Sequence, residues 1–196
     1  MITIITGSAR KKSQSEKVAQ FIYKRIMTYH PEMITIINLE ELNLPLWNEE
    51  NFKNSNVWLN TSEKLQPSSA FVIITPEWDG MASPALKNFF NYCRNYELFH
   101  KPALIVSVSA GEGGAYPIAE LRMSSYKNSR ICYLPEHILI RHAEDVLNDD
   151  SPENTRDELI RERIDYSLRL LKIYEDSLTL VRQHKFVFNS NFKNGM

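Results

Sequence analysis

The sequence predicts an α/β fold: one parallel sheet of five strands with helices on both faces. Short apolar runs rich in β-branched residues alternate five times with segments of helical spacing, and this alternation is typical of βαβ units. No tract rich in glycine, serine or proline divides the 196 residues, so a single domain over residues 1–196 is expected. With 43% hydrophobic and 24% charged residues, the composition is that of a globular protein with a sizeable core.

The predicted strands are short, apolar on both faces and bounded by turn-forming residues. The first, MITII, ends at Thr6-Gly7, and the second, MITIINL, follows Pro31 and has almost the same composition. In chain order the predicted strands cover residues 1–5, 33–39, 70–75, 103–109 and 137–141.

The first three predicted helices are indicated by apolar residues three or four positions apart and by capping signals. Residues 15–29 follow this spacing clearly, whereas residues 57–65 do so weakly, after a polar connection over residues 40–54. Ser83-Pro84 has the pattern of an N-cap followed by proline at the first helical position, and the apolar spacing continues to Cys93.

Two more helices are predicted in the last third of the chain. One passes through Ile118, Leu121 and Met123 after a glycine-rich turn. The other opens at Ser151-Pro152-Glu153 and covers about residues 152–184, which is longer than the fold needs, so that its outer part is either a solvated face or a subunit contact. Residues 185–196 are predicted to be an irregular tail.

Composition and charge exclude several classes of protein. A formal net charge of −1 provides no field for nucleic acid or for an anionic membrane, and no apolar run is long enough to span a bilayer. Two cysteines without a CxxC pair, and an N-terminus unlike a signal peptide, predict a cytoplasmic protein. The five histidines lack the spacing of metal ligands, so no metal site is expected.

Five of the six glycines follow predicted strands directly, and in an open parallel sheet those positions meet at the carboxyl edge, where ligands bind. They are Gly7, Gly80, Gly111, Gly113 and Gly114. Each glycine alone is also explained by a tight strand-to-helix turn. Three such loops together predict the rim of one pocket.

The first of these loops, TGSARKKSQSEK, combines hydroxyls with cations at the start of a helix. Ser8, Arg10, Ser13 and Ser15 can surround an anion that the helix N-terminus also favours. Ser13 and Ser15 are equally explained as helix N-caps, and the two roles are compatible. The loop is neither a GxxxxGK[ST] motif nor a GxGxxG motif, which argues against a nucleoside triphosphatase and weakens a dinucleotide-binding interpretation.

Three segments carry a family resemblance over residues 1–141. GSARKKSQS is similar to the G-S-x-R-x-x-S-x-[NS] phosphate loop of the NADPH-dependent FMN reductase family, a branch of the flavodoxin-like superfamily. TPEWDGMASPALKNFFNYC resembles that family's T-P-E-Y-N-x-x-x-P-x-x-L-K-N segment, and SAGEGGAYPIAELR resembles its S-x-G-x-x-G-G segment that ends in L-R. The connection LNLPLWNEE also resembles the family's L-P-x-[YF] segment.

The resemblance implies a flavodoxin-like three-layer sandwich with strand order 2-1-3-4-5 and FMN along the carboxyl edge of the sheet. It implies that Ser8, Arg10, Ser13 and Ser15 hold the FMN phosphate. It further implies that the ribityl chain and one side of the isoalloxazine contact Pro76, Glu77, Trp78, Asp79 and Gly80. The pyrimidine end of the ring would contact backbone groups of Ser109, Gly111, Glu112 and Gly114.

The activity that the resemblance implies is hydride transfer from NADPH or NADH, through bound FMN, to a quinone, azo compound, flavin or similar small acceptor. Members of the family are usually dimers or tetramers, so a homodimer or homotetramer is expected. No side chain is assigned as a catalytic acid or base, because the flavin supplies the chemistry.

Two departures from the family pattern lead to an alternative hypothesis. The family's Tyr-Asn is Trp78-Asp79 here, and Glu112 adds a second carboxylate. An ionised Asp79 either repels an anionic group or accepts a hydrogen bond from the ring or the ribityl chain. The alternative is therefore a flavodoxin-like module that binds FMN or another phosphate ligand with weakened turnover; a phosphate-ester hydrolase is less favoured because no nucleophile is evident.

Overall fold

A computed structural model describes residues 1–29, 34–94, 96–192 and 194. Its strands are β1 Ile2–Thr6, β2 Ile34–Asn38, β3 Ala70–Trp78, β4 Met81–Ala82, β5 Pro102–Val108 and β6 Cys132–Ile140. Its helices are α1 Gln14–Tyr29, α2 Leu39–Leu42, α3 Glu49–Asn54, α4 Asn56–Leu65, α5 Pro84–Tyr92, α6 Ala115–Ser124 and α7 Thr155–Gln183. The predicted start of the second strand, with Pro31 and Met33, lies outside the described residues.

The sheet has the strand order β2-β1-β3-β5-β6, and all four neighbouring pairs are parallel. When only the five long strands are numbered, this order is 2-1-3-4-5, and the predicted strand order is confirmed. The additional β4 is a two-residue strand that pairs antiparallel with the end of β3 and does not enter the parallel path. The order reverses between β1 and β3, and their carboxyl ends therefore form the crevice where ligands of open sheets bind.

Two apolar layers enclose the sheet because successive side chains of each strand point to opposite faces. Ile4 belongs to the layer that contains α1 and α7, whereas Ile5 belongs to the layer that contains α4, α5 and α6. Both side chains are fully buried. This arrangement gives the three layers that the alternating sequence predicts.

Several predicted boundaries differ from the structure, and among them β3 continues to Trp78, three residues past its predicted end, where it pairs with the unpredicted β4. The connection over residues 40–54 contains the short helices α2 and α3, whose starts are capped by the side chains of Asn38 and Asn48. β6 begins five residues earlier than predicted, because Pro135 is tolerated at an edge strand where the pairing with β5 shifts register. α7 begins at Thr155 because the Asn154 side chain accepts a hydrogen bond from the Asp157 backbone N–H and caps the helix there.

After α7 the chain forms two short 3₁₀ helices, Lys185–Phe188 and Ser190–Phe192. Phe188 stacks on Phe99 with ring centroids 5.5 Å apart, and Arg130 donates a hydrogen bond to the Phe192 carbonyl. The end of the chain is thereby attached to the body of the sheet. Within the described ranges, none of the helices has the length and apolarity required to cross a membrane.

Candidate functional site

A cavity of about 370 Å³ lies where the loops after β1, β3, β5 and β6 meet at the carboxyl edge of the sheet. This volume falls within the range typical of small-molecule sites. The lining residues are Ser8, Arg10, Lys12, Ser13, Gln14, Ser15, Pro76, Glu77, Trp78, Val108, Ala110, Ala143 and Glu144.

The first loop leaves β1 at Gly7, where the backbone passes very close to β3. The Gly7 backbone N–H donates to the Ile74 carbonyl at 2.7 Å, and a Cβ atom on Gly7 would lie only 2.8 Å from that oxygen. The Ser83 hydroxyl donates to the Gly7 carbonyl and accepts from the Leu86 backbone N–H at the start of α5. The first loop is therefore fixed against both β3 and α5.

Two serines at the start of α1 have different roles. The Ser13 hydroxyl accepts a hydrogen bond of 3.1 Å from the Glu16 backbone N–H and caps the helix. Ser15 is buried, with 1% of its surface exposed, and its hydroxyl has no hydrogen-bond partner among the described residues. The Gln14 side-chain oxygen is buried in the same cavity and is likewise unpaired within the described part of the chain.

An unpaired buried polar atom costs about 1–3 kcal/mol. Seven such side-chain atoms occur among the described residues, and two of them, Gln14 Oε1 and Ser15 Oγ, belong to residues that line this cavity, where a polar ligand would satisfy them. Ser8 is also buried, but its hydroxyl has a partner within the first loop, because it accepts a hydrogen bond of 3.1 Å from the Arg10 backbone N–H.

One wall of the cavity is an aromatic side chain held by a hairpin. The Arg10 guanidinium lies 5.6 Å from the centre of the Trp78 ring, which is 42% exposed. Trp78 is opposite Met81 in the β3–β4 pair, and the two-residue turn between them has left-handed backbone at both Asp79 and Gly80, with φ of 49° and 76°. Asp-Gly is the sequence favoured by such turns, so Asp79 has a backbone role at an exposed position.

The second and third loops are joined by a carboxylate. Glu77 Oε2 accepts a hydrogen bond from the Gly114 backbone N–H at the start of α6, which has no side-chain cap of its own. A Cβ atom on Gly113 would lie 1.9 Å from Glu77 Oε2. Gly113 therefore leaves room for this carboxylate. The negative charge of Glu77 stabilises the start of α6, because a helix N-terminus carries partial positive charge.

The third loop carries the other predicted residues. The Ser109 hydroxyl accepts from the Gly111 backbone N–H at 3.4 Å. Glu112 is 75% exposed and its carboxylate lies 2.6 Å from His142 Nε2. The hydrogen bond from His142, followed by its charge, holds the pKa of Glu112 below its ordinary value.

Seven of the predicted site residues line the cavity, and they are Ser8, Arg10, Ser13, Ser15, Pro76, Glu77 and Trp78. The other six surround it: Asp79 and Gly80 form the hairpin turn, and Ser109, Gly111, Glu112 and Gly114 belong to the third loop, which contributes Ala110 to the lining. The two carboxylates that distinguish this chain from the family pattern therefore lie outside the lining.

Sequence reasoning missed the wall formed by the loop after β6. Lys17 of α1 donates from Nζ to the Ala143 carbonyl at 2.6 Å, to the Val146 carbonyl at 2.8 Å and to Asn148 Oδ1 at 2.8 Å. This clamp places Ala143 and Glu144 on the cavity. Burial lowers the pKa of Lys17, and nearby carboxylates oppose that shift. No local signal marks the contact, which joins residues more than 120 positions apart.

Metal-ligating side chains do not gather in the described part of the chain, where no three His, Cys, Asp or Glu residues could share an ion. The cations at the cavity are Arg10 and Lys12, and the acids are Glu77 and Glu144. Glu77 already accepts from Gly114, and apart from Glu144 the polar lining residues are chiefly hydroxyls and cations that can donate hydrogen bonds. Such a donor set fits a phosphate ester.

A family model described as NADPH-dependent FMN reductase matches residues 1–145, which include every loop that lines the cavity. The chain belongs to the NADPH-dependent FMN reductase family. The family match ends before α7, so the long C-terminal helix lies outside it.

Individual relatives of this FMN reductase family member are distant. It is 29% identical over 114 residues to an NADPH azoreductase of Bacillus sp. (strain OY1-2), covering 58% of this chain and 61% of that protein. It is 28% identical over 121 residues to a quinone reductase of Pseudomonas putida, covering 59% of this chain and 63% of that protein. The matches thus span less than two thirds of the length of either relative.

Solved structures support the fold. FerB, a flavoenzyme NAD(P)H:(acceptor) oxidoreductase from Paracoccus denitrificans, superposes with a TM-score of 0.68 at 21% identity, covering 91% of this chain and 96% of that one. An oxidoreductase from Corynebacterium diphtheriae superposes with a TM-score of 0.71 at 15% identity, covering 90% and 94%. The predicted flavodoxin-like fold of this FMN reductase family member is confirmed.

Replacing Gly113 by alanine should reduce the free energy of unfolding by about 1–3 kcal/mol, because the new methyl group displaces the Glu77 carboxylate from Gly114. Gly113 has no left-handed φ, so alanine is otherwise tolerated there. Urea unfolding of Gly113→Ala, Glu77→Ala and the double variant measures the coupling. The double variant should be no less stable than Glu77→Ala, and simple additivity of the two losses would contradict this explanation.

Proposed function

We propose that the protein is an FMN-dependent NAD(P)H oxidoreductase that passes hydride to a small acceptor such as a quinone, an azo compound or a flavin. The observation that carries the proposal is the buried Ser15 hydroxyl at the start of α1, which has no partner among the described residues and belongs to a residue that lines the same cavity as Ser8 and Arg10. A phosphate there would accept hydrogen bonds from the hydroxyls and from the cation, and it would lie at the positive end of the helix. Membership of the family supports FMN as the group that carries this phosphate.

The residues present fit FMN. Ser8, Arg10, Ser13 and Ser15 would hold the phosphate, and Trp78 would provide an aromatic wall for the ring. Backbone groups from Ser109 to Gly114 would contact the pyrimidine end of the ring. When bound, FMN supplies the hydride chemistry, while the protein supplies position and electrostatic environment.

The proposal is tested with purified protein and added FMN. We expect stoichiometric FMN binding by calorimetry, a quenched flavin fluorescence, and oxidation of NADPH or NADH when a quinone is present. Protein that binds no FMN would contradict the proposal. Protein that binds FMN without oxidising NADPH or NADH would contradict the reductase activity and favour the alternative, a binding module.

We propose further that the protein self-associates, as a homodimer or homotetramer, through the outer face of α7. Tyr166, Ile173 and Leu180 are spaced seven residues apart on this helix, and they are 55%, 62% and 71% exposed. Residues seven apart fall on one stripe of a helix, which is the pattern of helix–helix seams. A second copy of the same stripe would bury these side chains.

Replacing Ile173 by glutamate should therefore shift the sedimentation velocity of the protein toward that of the monomer, because a charge in an apolar seam is costly. Met123→Glu is the matched control, since Met123 is 76% exposed but lies on α6. A monomeric wild-type protein, or equal dissociation of both variants, would overturn the assignment to α7.

A cytoplasmic location stays a prediction, supported by the free thiols of Cys93 and Cys132.

A further inference from the structure

A second cavity, of about 710 Å³, lies beside the third loop and is lined by the end of β6, the loop after it and the first turns of α7. We call it the arginine cavity, because Arg141, Arg156 and Arg163 all line it. Glu112 is its acidic lining residue. Neither the predicted phosphate loop nor the aromatic wall at Trp78 contributes to it.

Arginines outnumber acids in the lining of the arginine cavity, where Glu112 is the acid and interacts electrostatically with Arg156 and Arg141. Arg163 forms an ion pair of 2.7 Å with Glu136, and Glu112 is paired with His142. Arg141 donates from Nε to the Gly113 carbonyl at 2.9 Å, which fixes its guanidinium beside the third loop. Over the described residues, neither Arg141 nor Arg156 has a carboxylate within ion-pair distance. Two guanidinium groups are thus available to an anion.

The remaining walls are apolar. Leu139 and Val146 contribute from the β6 end, and Leu159 and Ile160 contribute from α7. Leu159 is 60% exposed, so part of this apolar wall is open to solvent. A purely inorganic anion would leave these walls in water, whereas a flat organic ring would cover them. Guanidinium groups also stack on aromatic rings.

We infer that the arginine cavity binds an aromatic anion, meaning a flat ring system that carries a phosphate, sulfonate or carboxylate group. Arg141 and Arg156 bind the anionic group, and Leu139, Val146 and Leu159 contact the ring. The cavity adjoins the candidate flavin site through the third loop and through the loop that follows β6, since Ala143 and Glu144 line one cavity and Val146 lines the other.

This inference deepens the proposed function and rests on it for the identity of the ligand. In an NAD(P)H oxidoreductase an aromatic anion has two sources: the adenosine end of NADPH, with its 2′-phosphate, and an anionic aryl compound that accepts electrons. The binding chemistry is the same for both. The two are separated by probes that carry one chemistry each.

The experiment is calorimetry with adenosine 2′,5′-bisphosphate and with naphthalene-1-sulfonate, on the protein with and without added FMN. Adenosine and naphthalene methanol are the uncharged controls. We expect Arg156→Gln to weaken binding of the anion by about ten-fold or more, because a charge-assisted hydrogen bond is lost. Arg169→Gln is the matched control, since Arg169 is exposed on the same helix and lies over the Tyr29 ring.

The outcomes are distinct. Loss of anion binding in Arg156→Gln but not in Arg169→Gln supports the inference. Tighter binding of the bisphosphate than of the sulfonate assigns the cavity to NADPH, and tighter binding of the sulfonate assigns it to the electron acceptor. Equal weakening by both variants, or no binding of either probe by the wild-type protein, overturns it. If the protein binds the anion but does not oxidise NAD(P)H, the inference about the arginine cavity is supported and the proposed oxidoreductase function is contradicted. If the protein is an active reductase but binds neither probe, the proposed function is supported and the inference about the arginine cavity is contradicted.

Discussion

Replacing Ser15 by alanine should stabilise the ligand-free protein by about 1 kcal/mol and weaken FMN binding by about ten-fold or more. The Ser15 hydroxyl is buried and unpaired over the described part of the chain, so its removal eliminates a desolvation cost. The same removal deprives a bound phosphate of a donor, and hydrogen bonds to charged groups are worth about 1.5–3 kcal/mol. Stability and affinity therefore change in opposite directions.

Ser13 provides the matched comparison, two residues away on the same helix start. Its hydroxyl already accepts from the Glu16 backbone N–H, so Ser13→Ala removes an N-cap and should cost about 1 kcal/mol of stability. Both serines were predicted to bind phosphate or to cap α1, and the sequence left these roles undivided. In the structure the Ser13 hydroxyl caps the helix and the Ser15 hydroxyl has no partner among the described residues, and the phosphate role of Ser15 stays a prediction.

The measurements are urea unfolding without ligand and calorimetry with FMN, for the wild type and both variants. A loss of stability in Ser15→Ala as large as that in Ser13→Ala would contradict the idea that Ser15 is held unpaired for a ligand. An unchanged FMN affinity in Ser15→Ala would contradict its role in the phosphate site. Since the two quantities are measured separately, a folding defect cannot be mistaken for lost binding.

Local signals predicted the elements that depend on local physics. Ser83 caps α5 as its Ser-Pro pattern predicts, and its hydroxyl accepts from the Leu86 backbone N–H at 3.2 Å. The β-branched composition predicts the bounds of four of the five buried strands to within a few residues of those in the structure. The strand order came from the family resemblance, since composition alone does not order a sheet.

The differences arise where a distant contact decides the local structure or where a signal was present and overlooked. Asp79-Gly80 is a strong hairpin signal that indicates a strand on each side, whereas the apolar run alone predicts an end at Thr75 and no β4. The role of Glu77 as a partner of Gly114 depends on two loops 37 residues apart, and no local pattern encodes it. The concern about Asp79 and Glu112 arose from their charge, whereas the structure places both side chains outside the lining of the cavity.

Replacing Gly7 by alanine should lower the melting temperature by about 5 °C or more, because an overpacked position costs about 1–3 kcal/mol and sometimes more. A Cβ atom at this position would lie 2.8 Å from the Ile74 carbonyl oxygen and 3.1 Å from Leu86 Cβ. Both neighbours are fully buried, one in the central strand β3 and the other in α5. Neither can turn aside as a flexible side chain could, so the first loop must move.

Movement of that loop should also weaken FMN binding, because Gly7 connects β1 to Ser8 and accepts a hydrogen bond from the Ser83 hydroxyl. Gly111→Ala is the control for stability alone, because a Cβ atom there meets open space and the φ of Gly111 lies outside the left-handed region. It should change stability by no more than about 0.5 kcal/mol. Equal melting temperatures for the two variants would show that the close approach at Gly7 is not what fixes the loop. A destabilised Gly7→Ala protein with unchanged FMN affinity would show that the phosphate site does not depend on that fixed position.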